Sequence, residues 1–238
     1  MTYFLDTCIL VHASTPFDKN NYDKASQILE SGKWLTSTIV AEEVLRICER
    51  REKIYLNIVE YVNSKAPEGN FSDLYSSSFK SVLGSNRNDE RHVRALFEHC
   101  LSEACVKNED VFTEATRDKF FDVFYPAMNE IRVLLGATKK RFGEAEFKKD
   151  HIAPRYYKLK PKKFSEIRNL FYSLPEGKKH KEDIKIYADA VFHSEETGEE
   201  LIYATTDRIF LANKTTIEKG IKRMQPTSAI EIKHLRDL

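Results

Sequence analysis

Two short apolar runs in this chain each stop at an aspartate. Tyr3-Phe4-Leu5 ends at Asp6 and continues as Thr7-Cys8-Ile9-Leu10, which reads as a first strand turning into a loop at an acidic residue. Leu201-Ile202-Tyr203-Ala204-Thr205-Thr206 ends at Asp207 in the same way. In open α/β sheets, ligands bind beyond the carboxyl ends of the strands, so acids placed there are candidates for a site rather than for a core. Taken singly, an aspartate after a strand is more often a turn former or a helix N-cap.

Two further acids fall on helices that follow the same logic. Lys33-Trp34-Leu35-Thr36-Ser37 reads as a short strand, and Thr38 to Arg46 as the first turns of a helix behind it. Adjacent helical residues point about 100° apart, so only one of Glu42 and Glu43 can face the end of the sheet. Glu182 to Phe192 reads as a late helix whose small residues Ala188 and Ala190 allow close packing on the sheet. Asp183 lies in its first turn, where the helix dipole alone favours a carboxylate. Acids gathered at one sheet end repel one another and raise some of their pKa values. Carboxylates are also the hard oxygen ligands that Mg²⁺ takes, so a bound dication would relieve the repulsion.

With these residues in place the chain resembles the PIN-domain nucleases. The matching stretches are Phe4-Leu5-Asp6-Thr7, Thr36 to Arg46, Asp183 to Ala190 and Ile202 to Phe210. Each is short and unspecific alone, and their order makes the combination fairly specific. The resemblance implies an α/β fold, a small parallel sheet flanked by helices, and cleavage of RNA by acids that hold Mg²⁺ or Mn²⁺. Its Ser-to-Glu spacing selects Glu43, with Ser37 six residues before it, over Glu42. Its late-helix pattern selects Asp183 over Asp189, because the alanines after the family's acid align with Ala188 and Ala190. The roles implied are metal ligation by Asp6 and Asp183, ligation or water orientation by Glu43, and a second, weaker ion at Asp207. Thr205 would orient a carboxylate or contact phosphate, and Thr7 would hydrogen-bond a neighbouring acid. Two departures stand out. Cys8 occupies a position often held by Asn or Ser, and Asp207 has no second Asp two residues on, which leaves the set one ligand short.

The resemblance covers residues 1–55 and 179–238, expected to form a discontinuous catalytic domain, and the middle does not match. Residues 56–178 read as a mostly helical insertion. Arg91 to Leu101 has apolar residues at helical spacing, Phe120-Phe121, Val123-Phe124 and Ile131, Val133 to Leu135 supply further apolar faces, and Pro126 is expected to kink or separate two helices. The polar stretch Ser64 to Lys80 reads as a loop. His92, His99, Cys100 and Cys105 match no standard zinc spacing and read as core.

A net charge of +1 says little by itself, but its distribution is uneven. From Lys139 to Lys181 there are 14 Lys or Arg against 5 Asp or Glu. A basic segment is the footprint of a phosphate-backbone binder, with a solvated loop as the plainer explanation. Its centre, Arg155-Tyr156-Tyr157-Lys158-Leu159-Lys160-Pro161-Lys162-Lys163, interleaves cations with aromatics able to stack on unpaired bases. The candidate RNA contacts are Arg155, Tyr156, Tyr157, Lys158, Lys160 and Lys162.

No apolar stretch approaches the ~20 residues that span a bilayer. The four cysteines, Cys8, Cys48, Cys100 and Cys105, form no CxxC pair and read as reduced, mostly buried thiols. A cytoplasmic protein is expected. The leading expectation is a metal-dependent endoribonuclease. Alternatives are a DNA-directed or structure-specific nuclease on the same fold, and a non-catalytic RNA-binding or assembly protein. The sequence leaves open a homo-oligomer and a protein inhibitor of the antitoxin kind.

Overall fold

The computed structural model describes residues 2–17, 19–65, 87–107 and 113–238. In chain order its elements are β1 (Thr2–Leu5), α1 (Thr7–His12), α2 (Lys19–Glu30), β2 (Trp34–Ser37), α3 (Thr38–Lys65), α4 (Arg87–Glu103), α5 (Glu114–Gly143), α6 (Ala145–His151) and β3 (Ile152–Ala153). They continue with α7 (Tyr156–Leu159), α8 (Pro161–Tyr172), α9 (Lys181–Thr197), β4 (Glu200–Thr205), α10 (Arg208–Ala212), α11 (Lys214–Met224) and β5 (Ala229–His234). The strands form one sheet in the order β3-β2-β1-β4-β5, and every neighbouring pair is parallel. Phe4 of the central β1 pairs with Leu35 on one side and Tyr203 on the other. The chain steps outward from β1 to β2 and β3, then returns to add β4 and β5 on the opposite side. The reversal falls between β1 and β4, and the crevice at such a switch point is where α/β sheets bind ligands.

The chain divides into two compact units, one of residues 1–13, 20–45 and 140–238, the other of residues 14–19 and 46–139. The first unit holds the whole sheet. Phe4, Leu5, Tyr203 and Ala204 are fully buried, as expected of parallel strands covered on both faces. α9 buries Ile184, Ile186, Tyr187, Ala188, Ala190, Val191 and Phe192, and the two alanines leave room for close packing. It ends at Gly198, whose φ of 72° lies in the left-handed region that glycine tolerates. Rings of Phe171, Tyr187, Tyr203 and Phe210 pack with centroids 5.0–5.7 Å apart. Truncating one of these phenylalanines to Ala leaves a cavity that costs about 3–5 kcal/mol.

Residues 140–178 were expected within the insertion, yet they cluster with the sheet and supply its edge strand β3. A two-residue strand is too short to carry a periodic signal. The basic segment is therefore built of helices and a strand, where a loop was the plainer expectation. A second difference concerns Thr7 to Leu10, expected as loop, which form the first turns of α1.

In the second unit, Val93, Leu96, Phe97, Cys100 and Leu101 of α4 are buried at the spacing the sequence indicates. Phe120 and Phe124 of α5 pack against Phe97, at 6.2 and 5.9 Å between centroids. The Arg51 guanidinium pairs with Asp89 at 3.1 Å and donates to the Thr15 hydroxyl, so this buried charge is fully compensated. Pro126 does not separate two helices: α5 runs through it for 30 residues. Burial of Phe120, Phe124, Met128, Ile131 and Leu135 along α5 outweighs the roughly 3 kcal/mol of an interior proline. Ser64 and Lys65 fall in α3, and the remainder of the expected loop, residues 66–80, lies outside the described residues. Among the described residues no helix is long and apolar enough to cross a membrane. His92, His99, Cys100 and Cys105 form no metal-holding group there.

Candidate active site

Asp6 and Asp207 sit where β1 and β4 end, and each divides its two oxygens between different tasks. Asp6 Oδ1 accepts the Thr7 backbone N–H at 2.7 Å and caps α1, while Oδ2 accepts the Thr205 hydroxyl at 2.7 Å. Asp207 Oδ1 accepts the Ile209 N–H at 3.0 Å and caps α10, while Oδ2 lies 3.4 Å from His180 Nδ1. Each aspartate therefore caps a helix with one oxygen and turns the other toward a different partner. Thr205 links the two, because its hydroxyl donates to Asp6 and accepts the Asp207 backbone N–H at 2.9 Å. Cys8 adds its thiol to Asp6 Oδ2 at 3.6 Å. Burial, with Asp6 beside it, holds that thiol well above its usual range, so it stays a protonated donor.

The other two acids come from helix starts. Ser37 ends β2 and its Oγ accepts the Val40 N–H at 3.2 Å, so this fully buried serine caps α3 and fixes where Glu43 emerges. The Thr7 hydroxyl donates to Glu43 Oε2 at 2.7 Å. Glu42 points elsewhere and pairs with Arg155. In the first turn of α9, Asp183 Oδ2 lies 2.9 Å from His180 Nδ1. Asp189, on the same helix, is fully buried and accepts the Tyr157 backbone N–H at 2.9 Å. It anchors α7 and is not among the groups that bear on Asp6.

Charge ties the four acids together. Burial pushes the Asp6 carboxyl up to about 7; Asp183 and Asp207 push the same way, against the Thr205 hydroxyl and the Thr7 N–H. Asp183 is also raised, by burial first and then by Asp207 and Glu43, with His180 opposing. Asp6, Glu43, Asp183 and Asp207 thus share one end of the sheet, at the switch between β1 and β4. The set consists of carboxylate oxygens whose ionised forms are mutually destabilising, which is the donor chemistry that suits a hard dication.

His180 was missed from the sequence. It forms, with Asp183 and Asp207, a group whose ligand atoms lie within 4.8 Å of one another. Its position three residues before Asp183 was the one available signal, since residues three apart share a helix face.

Several cations of the basic segment are paired within the fold. Arg155 pairs with Glu42, and Lys160 with Glu195 and Glu196. Lys163 pairs with Glu195 at 2.5 Å. Tyr157 packs on Phe164 at 5.5 Å with Lys185 over its ring, and Tyr156 lies 6.0 Å from His193. Lys158 and Lys162 are exposed and make no ion pair among the described residues.

No curated protein and no solved structure matches the chain. A family model does, over residues 3–104, a stretch that includes Asp6 and Glu43 and stops before Asp183 and Asp207. That model describes the PIN domain, so residues 3–104 are similar to a family whose members are generally nucleases, and the five-stranded parallel sheet is consistent with a PIN-like α/β fold.

Proposed function

We propose that this chain is a metal-dependent endoribonuclease that hydrolyses RNA phosphodiester bonds with Asp6, Glu43, Asp183 and Asp207. The observation that carries the reading is the clustering of half-buried, mutually repelling acids around the buried Asp6 at the β1–β4 switch, with Asp6 held up to about 7. Such an arrangement opposes folding unless a cation offsets it. Asp6, Asp183 and Asp207, with Glu43 beside them, would hold Mg²⁺ or Mn²⁺. When bound, the ion supplies an activated water and neutralises charge on the phosphate.

The chain's own groups prepare that chemistry. The Thr205 hydroxyl fixes the Asp6 carboxylate, and its oxygen fixes the backbone of Asp207. Thr7 orients Glu43, whose remaining oxygen is free to position the attacking water or to take its proton. The exposed Lys158 and Lys162 draw the polyanion toward the sheet unit, and RNA in a cytoplasmic setting is the substrate this reading assigns.

Purified protein incubated with single-stranded RNA, duplex RNA and DNA, each with Mg²⁺, Mn²⁺ or EDTA, tests the proposal. Cleavage of RNA that EDTA abolishes and Asp183→Asn removes supports it. Cleavage of DNA alone moves the substrate, and metal-independent cleavage refutes the mechanism.

A further inference from the structure

Between Asp183 and Asp207 stands an imidazole that the family's carboxylate pattern does not call for. His180 Nδ1 lies 2.9 Å from Asp183 Oδ2 and 3.4 Å from Asp207 Oδ2. Two donors on neighbouring vertices of an octahedral ion with ligands at 2.0–2.1 Å are about 3 Å apart, and the His180 spacings are of that size. The histidine also stands beside Asp207, the acid that has no second Asp two residues on to complete its ligand set.

The backbone holds His180 in place. Glu176 takes a left-handed φ of 60°, and Gly177 follows it so closely against α8 that a Cβ there would lie 1.9 Å from the Phe171 carbonyl oxygen. The turn continues through Lys179 N–H to Glu176 O at 2.8 Å and His180 N–H to Gly177 O at 3.2 Å. His180 O then accepts the Ile184 N–H at 3.0 Å, which starts α9 with Asp183 in its first turn. One short segment therefore sets His180 and Asp183 together.

We infer that His180 is a direct ligand, through Nδ1, of the divalent ion held by Asp183 and Asp207, taking the place of a further carboxylate. The inference rests on the metal-dependent reading above. Ligation requires the Nδ1 lone pair, with the ring proton on Nε2. An imidazole suits borderline first-row ions, whereas carboxylate and water suit Mg²⁺, so this site favours Mn²⁺ over Mg²⁺ more than an all-oxygen site would.

Mn²⁺ binding followed by electron paramagnetic resonance, with electron spin echo detection of ¹⁴N coupling, tests this without reference to activity. Wild-type protein should show a nitrogen-coupled Mn²⁺ that His180→Ala abolishes, together with an affinity loss of at least the roughly 10-fold seen when an outer partner of a ligand is removed. His180→Asp should bind Mn²⁺ without nitrogen coupling, and Mg²⁺ should displace Mn²⁺ from it more readily than from wild type. Circular dichroism of each variant checks the fold, and His180→Asp guards against a truncation that merely loosens the turn. If Mn²⁺ binding depends on Asp183 but shows no nitrogen coupling, or coupling survives in His180→Ala, the inference fails while the carboxylate site stands. If Mn²⁺ does not bind, or binds equally to Asp183→Asn, both fail.

Discussion

The acid end of the sheet and the basic segment lie in the same compact unit and treat charge in opposite ways. In the basic segment, Arg155, Lys160 and Lys163 are matched by Glu42, Glu195 and Glu196, so much of its positive charge is spent on holding helices together. At the acid end, Asp6, Glu43, Asp183 and Asp207 face one another with His180 as the interposed base. Paired charge is what a fold needs, and unrelieved like charge is what a ligand site tolerates. The ion pairs of the basic segment could not be read from sequence, because composition counts charges without their partners.

The sharpest break of this comparison is Asp183→Asn or Asp6→Asn. Either should lower RNA cleavage by more than the roughly 100-fold that loss of an outer metal partner can cause. Each should also raise the metal-free melting temperature, by about 2–4 °C per kcal/mol of repulsion removed. An active Asp183→Asn, or one that melts lower in the absence of metal, would mean that the acids are ordinary structural residues.

Asp189 tests whether burial alone can raise a carboxyl outside the cluster, since burial lifts it to about 7 while Arg155 and the Tyr157 N–H oppose. The folded chain then holds a proton that the unfolded chain releases near its ordinary value. Stability from this group is full at low pH and falls as pH rises toward 7. Asp189→Asn keeps the acceptor for Tyr157 and removes the titration. Denaturant melts should give nearly equal stabilities at pH 4 and an advantage on the order of 4 kcal/mol for the variant at pH 8. Parallel pH profiles would show that Asp189 is ionised throughout.

Glu43→Gln should reduce cleavage about tenfold by weakening the Thr7-oriented oxygen. Glu42→Gln, which weakens the pairing with Arg155, should leave the rate near wild type. A reversed ranking would shift the helix register by one residue. The smallest effect is expected from lysines: Lys158→Ala with Lys162→Ala should flatten the salt dependence of RNA binding by roughly 0.7 per lost phosphate contact. Arg155→Ala and Lys160→Ala should change stability by about 0–1 kcal/mol instead. Equal loss of salt dependence in both pairs would restore the whole segment as an RNA track.

Asp6 and Asp207 were legible because each closes an apolar run, and such runs are what a parallel sheet buried on both faces demands. The six residues of α1 were not, since a helix under two turns shows no periodicity, and Thr7 to Leu10 read as loop. Selecting Glu43 over Glu42 from spacing alone needed a family pattern. In the fold the two differ through Thr7 and through Arg155, the latter 113 residues away in sequence. His180 stayed hidden because its placement depends on a turn pressed against the Phe171 carbonyl, a contact no residue pattern announces. The ion pairs that quiet the basic segment were equally invisible, since Lys160 meets its partner Glu195 35 residues downstream.

The position of β1 between β2 and β4 has a consequence in time. Asp6 and β1 are made about two hundred residues before the strand that flanks β1 on its other side and the acid that closes the cluster. At about 5–20 residues per second, the ribosome takes roughly 10–40 s to make that stretch. Through that interval the nascent chain carries Asp6 and Glu43 without their counterparts. Any activity that needs all four acids is withheld on the ribosome until β4 and Asp207 have been made.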